Sequence, residues 1–193
     1  MGFTLIELLI TSVILPIVLS AAYLVFITLS GDYSIISAQS EATSEAQRAM
    51  DTLVRELRQA QQIEDGSGAF AVTQPDRCSF YCDIDRDNVP ERITYYTDGT
   101  DLFRVVAEST THVFPYNFVD AAAVRVVNLT TSSQVVFTYY DAADPLTVDT
   151  TPNPASVCAV GIHLSASRPS QNGQVNVDFS TRVKIRALFN SLS

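Results

Sequence analysis

Histidine and basic residues are scarce in this chain of 193 residues, and their scarcity excludes several classes of function. His112 and His163 are the only histidines, and no nucleophile motif surrounds either of them, so the sequence predicts no enzyme. Glycine-rich phosphate loops and paired cysteines with zinc spacing are also absent from the sequence. Twelve Lys and Arg residues against 21 Asp and Glu residues give a net charge of −9, which disfavours binding to nucleic acid.

A long uncharged apolar run lies near the start of the chain. It covers the 24 residues from Leu8 to Gly31, and about 20 apolar residues in a helix are enough to cross a membrane. An ordinary signal anchor is the simplest interpretation. Two features argue against it: no basic segment precedes the run, as it would in a secretory signal, and Glu7 lies at its head. Because a carboxylate in lipid is costly and usually functional, we expect Glu7 to have a compensating partner.

The residues Gly2-Phe3-Thr4-Leu5-Ile6-Glu7-Leu8-Leu9 resemble the prepilin signature of type IV pilins and type II secretion pseudopilins. The resemblance implies that prepilin peptidase cleaves between Gly2 and Phe3, and that the new terminus at Phe3 is N-methylated. It also implies that Glu7 meets the terminal amine of a neighbouring subunit during assembly. Prepilin leaders usually carry several residues, including Lys or Arg, before the glycine, whereas only Met1 and Gly2 stand here. Either a start codon placed late or a trimmed sequence would explain that departure.

A second helical pattern follows the apolar run. Its apolar residues recur every three or four positions, at Ala46, Met50, Leu53, Leu57 and Ala60. This spacing predicts an amphipathic helix whose apolar stripe packs on the protein's own sheet. Glu56 and most of the other charged residues lie off that stripe. Residues 3 to about 62 then form one helix, about 90 Å long. Pro16 predicts a kink or local melting near Ser12 to Pro16, unless it is a membrane-helix proline without functional meaning.

The pattern changes at Asp65-Gly66-Ser67-Gly68, after which runs rich in Val, Ile, Thr, Tyr and Phe alternate with turn residues. Asp98-Gly99 predicts a hairpin. Strands are predicted at 70–73, 78–83, 92–97, 102–106, 122–129, 134–140, 157–166 and 175–188. The predicted fold class is α+β, a long N-terminal helix packed on an antiparallel β-sheet domain. Its segments are a leader remnant (1–2), a transmembrane and assembly helix (3–31), an amphipathic continuation (32–63) and a β-rich domain outside the cytoplasm (64–193).

Alternating acidic residues lie between two of the predicted strands. Asp83, Asp85 and Asp87, the backbone carbonyl of Val89, and Glu91 resemble the first nine positions of a calcium loop, in which hard oxygen ligands meet at one ion. Asn88 stands where such loops have glycine, and asparagine tolerates that backbone conformation. The twelfth position holds Thr94 and lacks the usual glutamate. The alternatives are a Ca²⁺ site and an acidic hairpin loop that keeps the domain soluble.

Three cysteines allow one disulfide if the domain enters an oxidising compartment. Cys78 and Cys82 lie about 13 Å apart along an extended strand, too far to bridge. The sequence therefore leaves two alternatives: a disulfide between Cys158 and either Cys78 or Cys82, or three buried reduced thiols.

The inner segments 47–60, 80–96 and 180–186 look like those of PilW-like minor pilins and of the J-type minor pseudopilin of type II secretion. The resemblance implies a non-catalytic minor pilin that enters, initiates or caps a type IV pilus-like filament. Its implied partners are prepilin peptidase, an inner-membrane assembly platform and other pilins, met through the N-terminal helix. The implied location is the inner membrane, with one membrane pass, and then the filament. Two alternatives stay open: a minor pseudopilin, and a membrane-anchored module that binds a surface or ligand.

Overall fold

One long helix and nine strands make up the part of the chain that the computed structural model describes, residues 4–63, 68–98, 101–128, 136–170 and 173–185. The helix is α1 (Leu5–Arg58). The strands are β1 (Phe70–Thr73), β2 (Arg77–Cys82), β3 (Glu91–Asp98), β4 (Asp101–Ser109), β5 (Phe118–Asp120), β6 (Val124–Asn128), β7 (Val136–Asp141), β8 (Val157–Ser170) and β9 (Gly173–Lys184). This is the α+β, pilin-like layout that the sequence predicts.

Helix α1 begins at a capping box and ends earlier than expected. Thr4 is the N-cap, and its side chain and that of Glu7 each accept a hydrogen bond from the other's backbone N–H. The helix ends at Arg58, about one turn before the expected end near Gln62. The reason is that the Gln61 N–H donates to the Tyr81 carbonyl of β2, at 2.8 Å, and the chain leaves the helical path.

The two halves of α1 differ in environment. From Leu5 to Ser30 every residue is exposed, and an 18-residue window reaches a mean hydropathy of 2.4. By length and composition this helix is able to cross a membrane. The second half is buried along one face, at Ala38, Ala42, Ala46, Ala49, Met50, Leu53, Glu56 and Leu57. The predicted apolar stripe is therefore confirmed, with Glu56 as a correction, because this glutamate lies on the buried face.

Two antiparallel sheets cover the buried half of the helix. The first, sheet A, has the order β1-β2-β3-β4-β5, and β6 also pairs with β4; the second, sheet B, has the order β7-β8-β9. Helix α1 contacts mainly β8 and β9. One hydrophobic cluster joins all three layers, with Leu53 and Leu57 from the helix, Phe80 and Tyr95 from sheet A, and Ile162 from sheet B.

The predicted strands are found, with shifts at their ends. The strand at 70–73 matches, and β3 and β4 pair in the predicted hairpin, with Asp98 opposite Asp101; Gly99 lies outside the described residues. Strand β5 was missed, because three residues are too few to show an alternating pattern. Strand β8 is longer than predicted, reaching Ser170, because β9 pairs with residues 159–170 of it. Predicted strand residues after Ile185 lie outside the described ranges.

Candidate functional site

Glu7 lies in the first turn of α1, at the head of the exposed apolar half. The Thr4 N–H and the Thr4 hydroxyl both donate to Glu7 Oε2, each at 2.9 Å, and the Glu7 N–H lies 3.4 Å from Thr4 Oγ1. Among the described residues no cation forms an ion pair with this carboxylate. Thr4 was missed in the sequence, although the Thr-x-x-Glu spacing of the capping box was the signal that identifies it.

The other N-terminal positions are located only in part. Gly2 and Phe3 lie outside the described residues, so cleavage and methylation there stay predictions. Pro16 lies inside α1, and the helix continues through Ser12 to Pro16 without a break. Local melting at Pro16 is therefore not observed, and a kink of the helix axis stays a prediction.

The acidic loop, defined here as residues 83–91, connects β2 to β3 and includes Glu91, the first residue of β3; it brings the predicted metal ligands together. One carboxylate oxygen from each of Asp83, Asp85, Asp87 and Glu91 lies within 4.8 Å of the others. Arg86 and Asn88 have positive φ angles of 66° and 68°, so the loop turns tightly at the position predicted for Asn88 and also two residues earlier. The carboxylates that alternate along the sequence therefore form one cluster of four in the folded loop.

Hydrogen bonds from the backbone fix the shape of this loop. Asp83 accepts from the Arg86 N–H at 2.6 Å and from the Asn88 N–H at 3.1 Å. Asp87 accepts from the Val89 N–H at 2.7 Å. These bonds orient the carboxylates, but they neutralise no charge.

Glu91 is the buried member of the cluster, with 8% of its surface exposed. Its Oε2 accepts a hydrogen bond from the Ile84 N–H at 2.7 Å. Burial raises the pKa of Glu91 above its usual value, and the negative charges of Asp85 and Asp83 raise it further, against the lowering effect of the Ile84 hydrogen bond. Four oxygen ligands that repel one another are the donor set that a hard divalent cation such as Ca²⁺ neutralises, so the residues present fit the ion. The Val89 carbonyl stays a predicted ligand.

A buried ionic group, which the sequence did not reveal, joins the helix to sheet A. Glu56 accepts hydrogen bonds from Arg104 Nη2 at 2.7 Å, from Arg104 Nε at 3.1 Å and from the Tyr95 hydroxyl at 2.7 Å. Tyr95 and Arg104 stand opposite each other on β3 and β4. Burial raises the pKa of Tyr95, and the Glu56 charge raises it further, so the phenol stays protonated and donates. This group fixes the helix to the sheet.

Of the two alternatives that the sequence leaves for the cysteines, the structure has the three buried free thiols, and Cys158 is not bonded to Cys78 or Cys82. Cys78 and Cys82 belong to β2 in sheet A, whereas Cys158 belongs to β8 in sheet B, and the two strands are not neighbours. Burial raises the pKa of the Cys78 thiol to about 12, so this thiol is unreactive.

The comparison with protein families agrees with the N-terminal geometry. Residues 2–23 match the family model described as the prokaryotic N-terminal methylation motif, and this range includes Gly2, Phe3, Glu7 and Pro16. No curated protein matches the chain at a significant level. Together, the motif and the long apolar helix support a type IV pilin-like family, a membrane anchor and processing by prepilin peptidase.

Proposed function

We propose that this chain is a non-catalytic minor subunit of a type IV pilus-like filament. In this role, prepilin peptidase cleaves between Gly2 and Phe3, and Phe3 is N-methylated. The apolar half of α1 holds the subunit in the inner membrane, with both sheets outside the cytoplasm, until an ATP-driven platform moves it into the filament. The observation that carries the proposal is one carboxylate, Glu7, at the head of 24 uncharged residues.

The proposal rests on charge compensation at Glu7. Its described partner is Thr4, which is uncharged, so no described residue neutralises the negative charge. Cleavage after Gly2 creates an ammonium group at Phe3, about one helical turn from Glu7. Two subunits staggered along their helices then pair the amine of one with the carboxylate of the other. Removing one partner of an ion pair in a medium of low dielectric constant costs about 3–5 kcal/mol.

The minor role rests on the likeness of segments 47–60, 80–96 and 180–186 to PilW-like minor pilins. A minor subunit would enter, initiate or cap the filament. The similar likeness to J-type minor pseudopilins makes type II secretion the alternative within the same class. Neighbouring genes separate the two: a retraction ATPase favours a pilus, and a secretin with further pseudopilins favours secretion.

Replacing Glu7 tests the proposal. We expect Glu7→Gln to be cleaved and methylated at Phe3, as mass spectrometry of the N-terminus would show, but to be reduced more than about tenfold in filaments sheared from cells. Glu41→Gln is the matched control, because Glu41 is exposed on the same helix beyond the apolar run. Unchanged filament number and incorporation in Glu7→Gln would instead favour a membrane-anchored module that binds a surface or ligand. A native chain that keeps Met1 and Gly2 would contradict the proposal directly.

We further propose that the acidic loop binds Ca²⁺. The proposal is supported by the convergence of Asp83, Asp85, Asp87 and Glu91 within 4.8 Å, which no cation among the described residues compensates by an ion pair. The ion would be held by these carboxylates and would fix the connection between β2 and β3. It supplies positive charge and no chemistry.

Thermal unfolding of the full chain in detergent tests calcium binding. With Ca²⁺ at about 100 times its dissociation constant we expect the Tm to rise by about 5 °C or more above the value in EGTA. Asp85→Asn should abolish most of that rise, whereas Asp98→Asn, an exposed aspartate at the end of β3, should keep it. A wild-type Tm that is the same in Ca²⁺ and in EGTA would contradict calcium binding by the acidic loop.

A further inference from the structure

The outer face of sheet A, away from α1, contains a groove. Tyr95 and Arg104 point inward to Glu56, so their strand neighbours Thr94, Tyr96 and Val105 point outward. The groove on this side has a volume of about 510 Å³, within the size range of small-molecule sites. Helix α1 meets sheet A through Glu56 on the opposite side, so the helix leaves this groove uncovered.

Small side chains make room for the groove. Ala71, Ala121 and Ala123 lie along it, where longer side chains would fill the space. At its centre the hydroxyls of Ser79 and Thr94 are 2.9 Å apart, and Ser79 is only 2% exposed. Ser79 therefore fixes the Thr94 hydroxyl, which keeps hydrogen-bonding capacity toward the groove.

Stacked guanidinium and aromatic groups form the two walls. On one side Arg77 lies over the Tyr96 ring, at 5.0 Å, and Tyr96 stacks on Phe103 at 5.5 Å. On the other side Arg92 lies 5.5 Å from the centre of the Phe118 ring and pairs with Asp120 at 2.9 Å. Stacking holds both guanidinium groups in place before any ligand arrives.

The two arginines differ in charge compensation. Asp120 neutralises Arg92 through its Oδ1 atom, and a carboxylate has a second oxygen that can accept a hydrogen bond. Arg77 has no ion-pair partner in the described parts of the chain. The groove therefore presents one uncompensated cation beside a hydroxyl, a carboxylate acceptor and aromatic rings.

We propose that this groove binds an acidic oligosaccharide, with a uronate carboxylate on Arg77 and sugar hydroxyls on Thr94 and Asp120. A polyol with a few negative charges matches this mixture of donors and acceptors. Nucleic acid matches it less well, because binding a phosphate chain takes a row of Lys and Arg side chains, whereas Arg77 is the one groove arginine without an ion pair among the described residues. Binding of the oligosaccharide does not depend on filament assembly, so it is testable whether or not the chain enters a filament. Only the exposure of the groove in a filament rests on the proposed function.

Titration of the full chain in detergent with tetragalacturonate tests the proposal, and the fully methyl-esterified tetramer is a control that lacks the charge. We expect saturable binding of the acid form and at least about tenfold weaker binding of the ester, since hydrogen bonds to charged groups are the stronger ones. Arg77→Gln should weaken acid binding about tenfold and leave ester binding unchanged. Arg48→Gln, an exposed arginine on α1, should change neither.

Thr94→Val adds a second variant with a different expectation. Because Thr94 supplies a hydroxyl and no charge, its loss should weaken the acid and the ester by the same factor, a few-fold. The proposal is overturned if tetragalacturonate does not bind at millimolar concentration, if acid and ester bind equally, or if Arg77→Gln binds like the wild type. Displacement of the bound sugar by single-stranded DNA at equal charge would also overturn it in favour of a general anion site.

Discussion

Two buried glutamates in this protein have opposite surroundings. Glu56, which is 5% exposed, receives two hydrogen bonds from Arg104 and one from Tyr95 at the junction of α1 and sheet A. Glu91, which is 8% exposed, lies beside three aspartates in the acidic loop. The first region contains an arginine that pairs with the glutamate, whereas in the second no ion pair to the four carboxylates forms among the described residues, although Arg86 lies in the same loop.

The difference separates a carboxylate that is paired with a cation from carboxylates that have no ion pair within the described residues. A buried carboxylate bound by a guanidinium stabilises one arrangement of helix and sheet, and its charge is already compensated. A buried carboxylate among carboxylates is costly until a cation arrives. Glu7 is exposed and has no carboxylate neighbour, but it shares with Glu91 the lack of a charged partner among the described residues, since Thr4 is uncharged. Both proposed partners, an amine at Glu7 and Ca²⁺ at Glu91, supply positive charge.

The largest expected effect comes from removing the compensated charge. Glu56→Gln should lower the free energy of unfolding by about 3 kcal/mol, because Arg104 then keeps a charge at the interface with no carboxylate. Arg104 retains 23% side-chain exposure, so we expect the low end of the range for buried pairs. Urea unfolding of the full chain in detergent, followed by near-ultraviolet circular dichroism, measures it.

The control for Glu56→Gln is Glu41→Gln on the exposed side of the same helix. Its effect on unfolding should stay within about 0.5 kcal/mol. If the two variants lost equal stability, the Glu56–Arg104 pair would have no role in holding the helix to the sheet.

Tyr95→Phe should have an intermediate effect. The Tyr95 hydroxyl donates to a charged oxygen, Glu56 Oε2, so its loss should cost about 1.5–2 kcal/mol. Tyr139→Phe is the matched variant, because the Tyr139 hydroxyl donates to the uncharged carbonyls of Gln74 and Arg77, and we expect about 1 kcal/mol there. Equal losses in the two variants would mean that the charge of Glu56 adds nothing to its hydrogen bond.

Sequence distance explains which of these regions was predictable. All four carboxylates of the acidic loop lie within nine residues, so their alternation along the chain indicates a shared site. Glu56 and Arg104 are 48 residues apart, and a charged residue at a helical position reads as solvent-facing until its partner is known. The helix and its stripe at Leu53 and Leu57 follow from local periodicity, and the β3–β4 hairpin follows from the turn residues Asp98-Gly99. The position of Cys158 relative to β2 depends on how two sheets pack, which no local pattern encodes.

The smallest change in the free energy of unfolding should come from Glu91→Gln. Unlike Glu56→Gln and Tyr95→Phe, this variant should be more stable than wild type. The native pKa of Glu91 is raised above the ordinary value of 4.5, so the folded chain holds this proton more tightly than the unfolded chain. The contribution of the Glu91 carboxyl to the free energy of unfolding is therefore fully present below pH 4.5, and it is lost as the pH rises through the native pKa. Glutamine mimics the protonated acid, so in EGTA the variant should gain stability over wild type across that window and keep the gain above it.

Calcium should reverse the order of stability of wild type and Glu91→Gln. Wild type, with all four carboxylates, should gain stability on adding the ion, whereas Glu91→Gln has lost one ligand and should gain less. Unfolding curves at several pH values, each with EGTA and with Ca²⁺, give both comparisons from one pair of proteins. A variant less stable than wild type in EGTA at pH 7 would mean that the Ile84 hydrogen bond outweighs the repulsion within the loop. The acidic loop would then be compensated from within the chain, as the Glu56 region is.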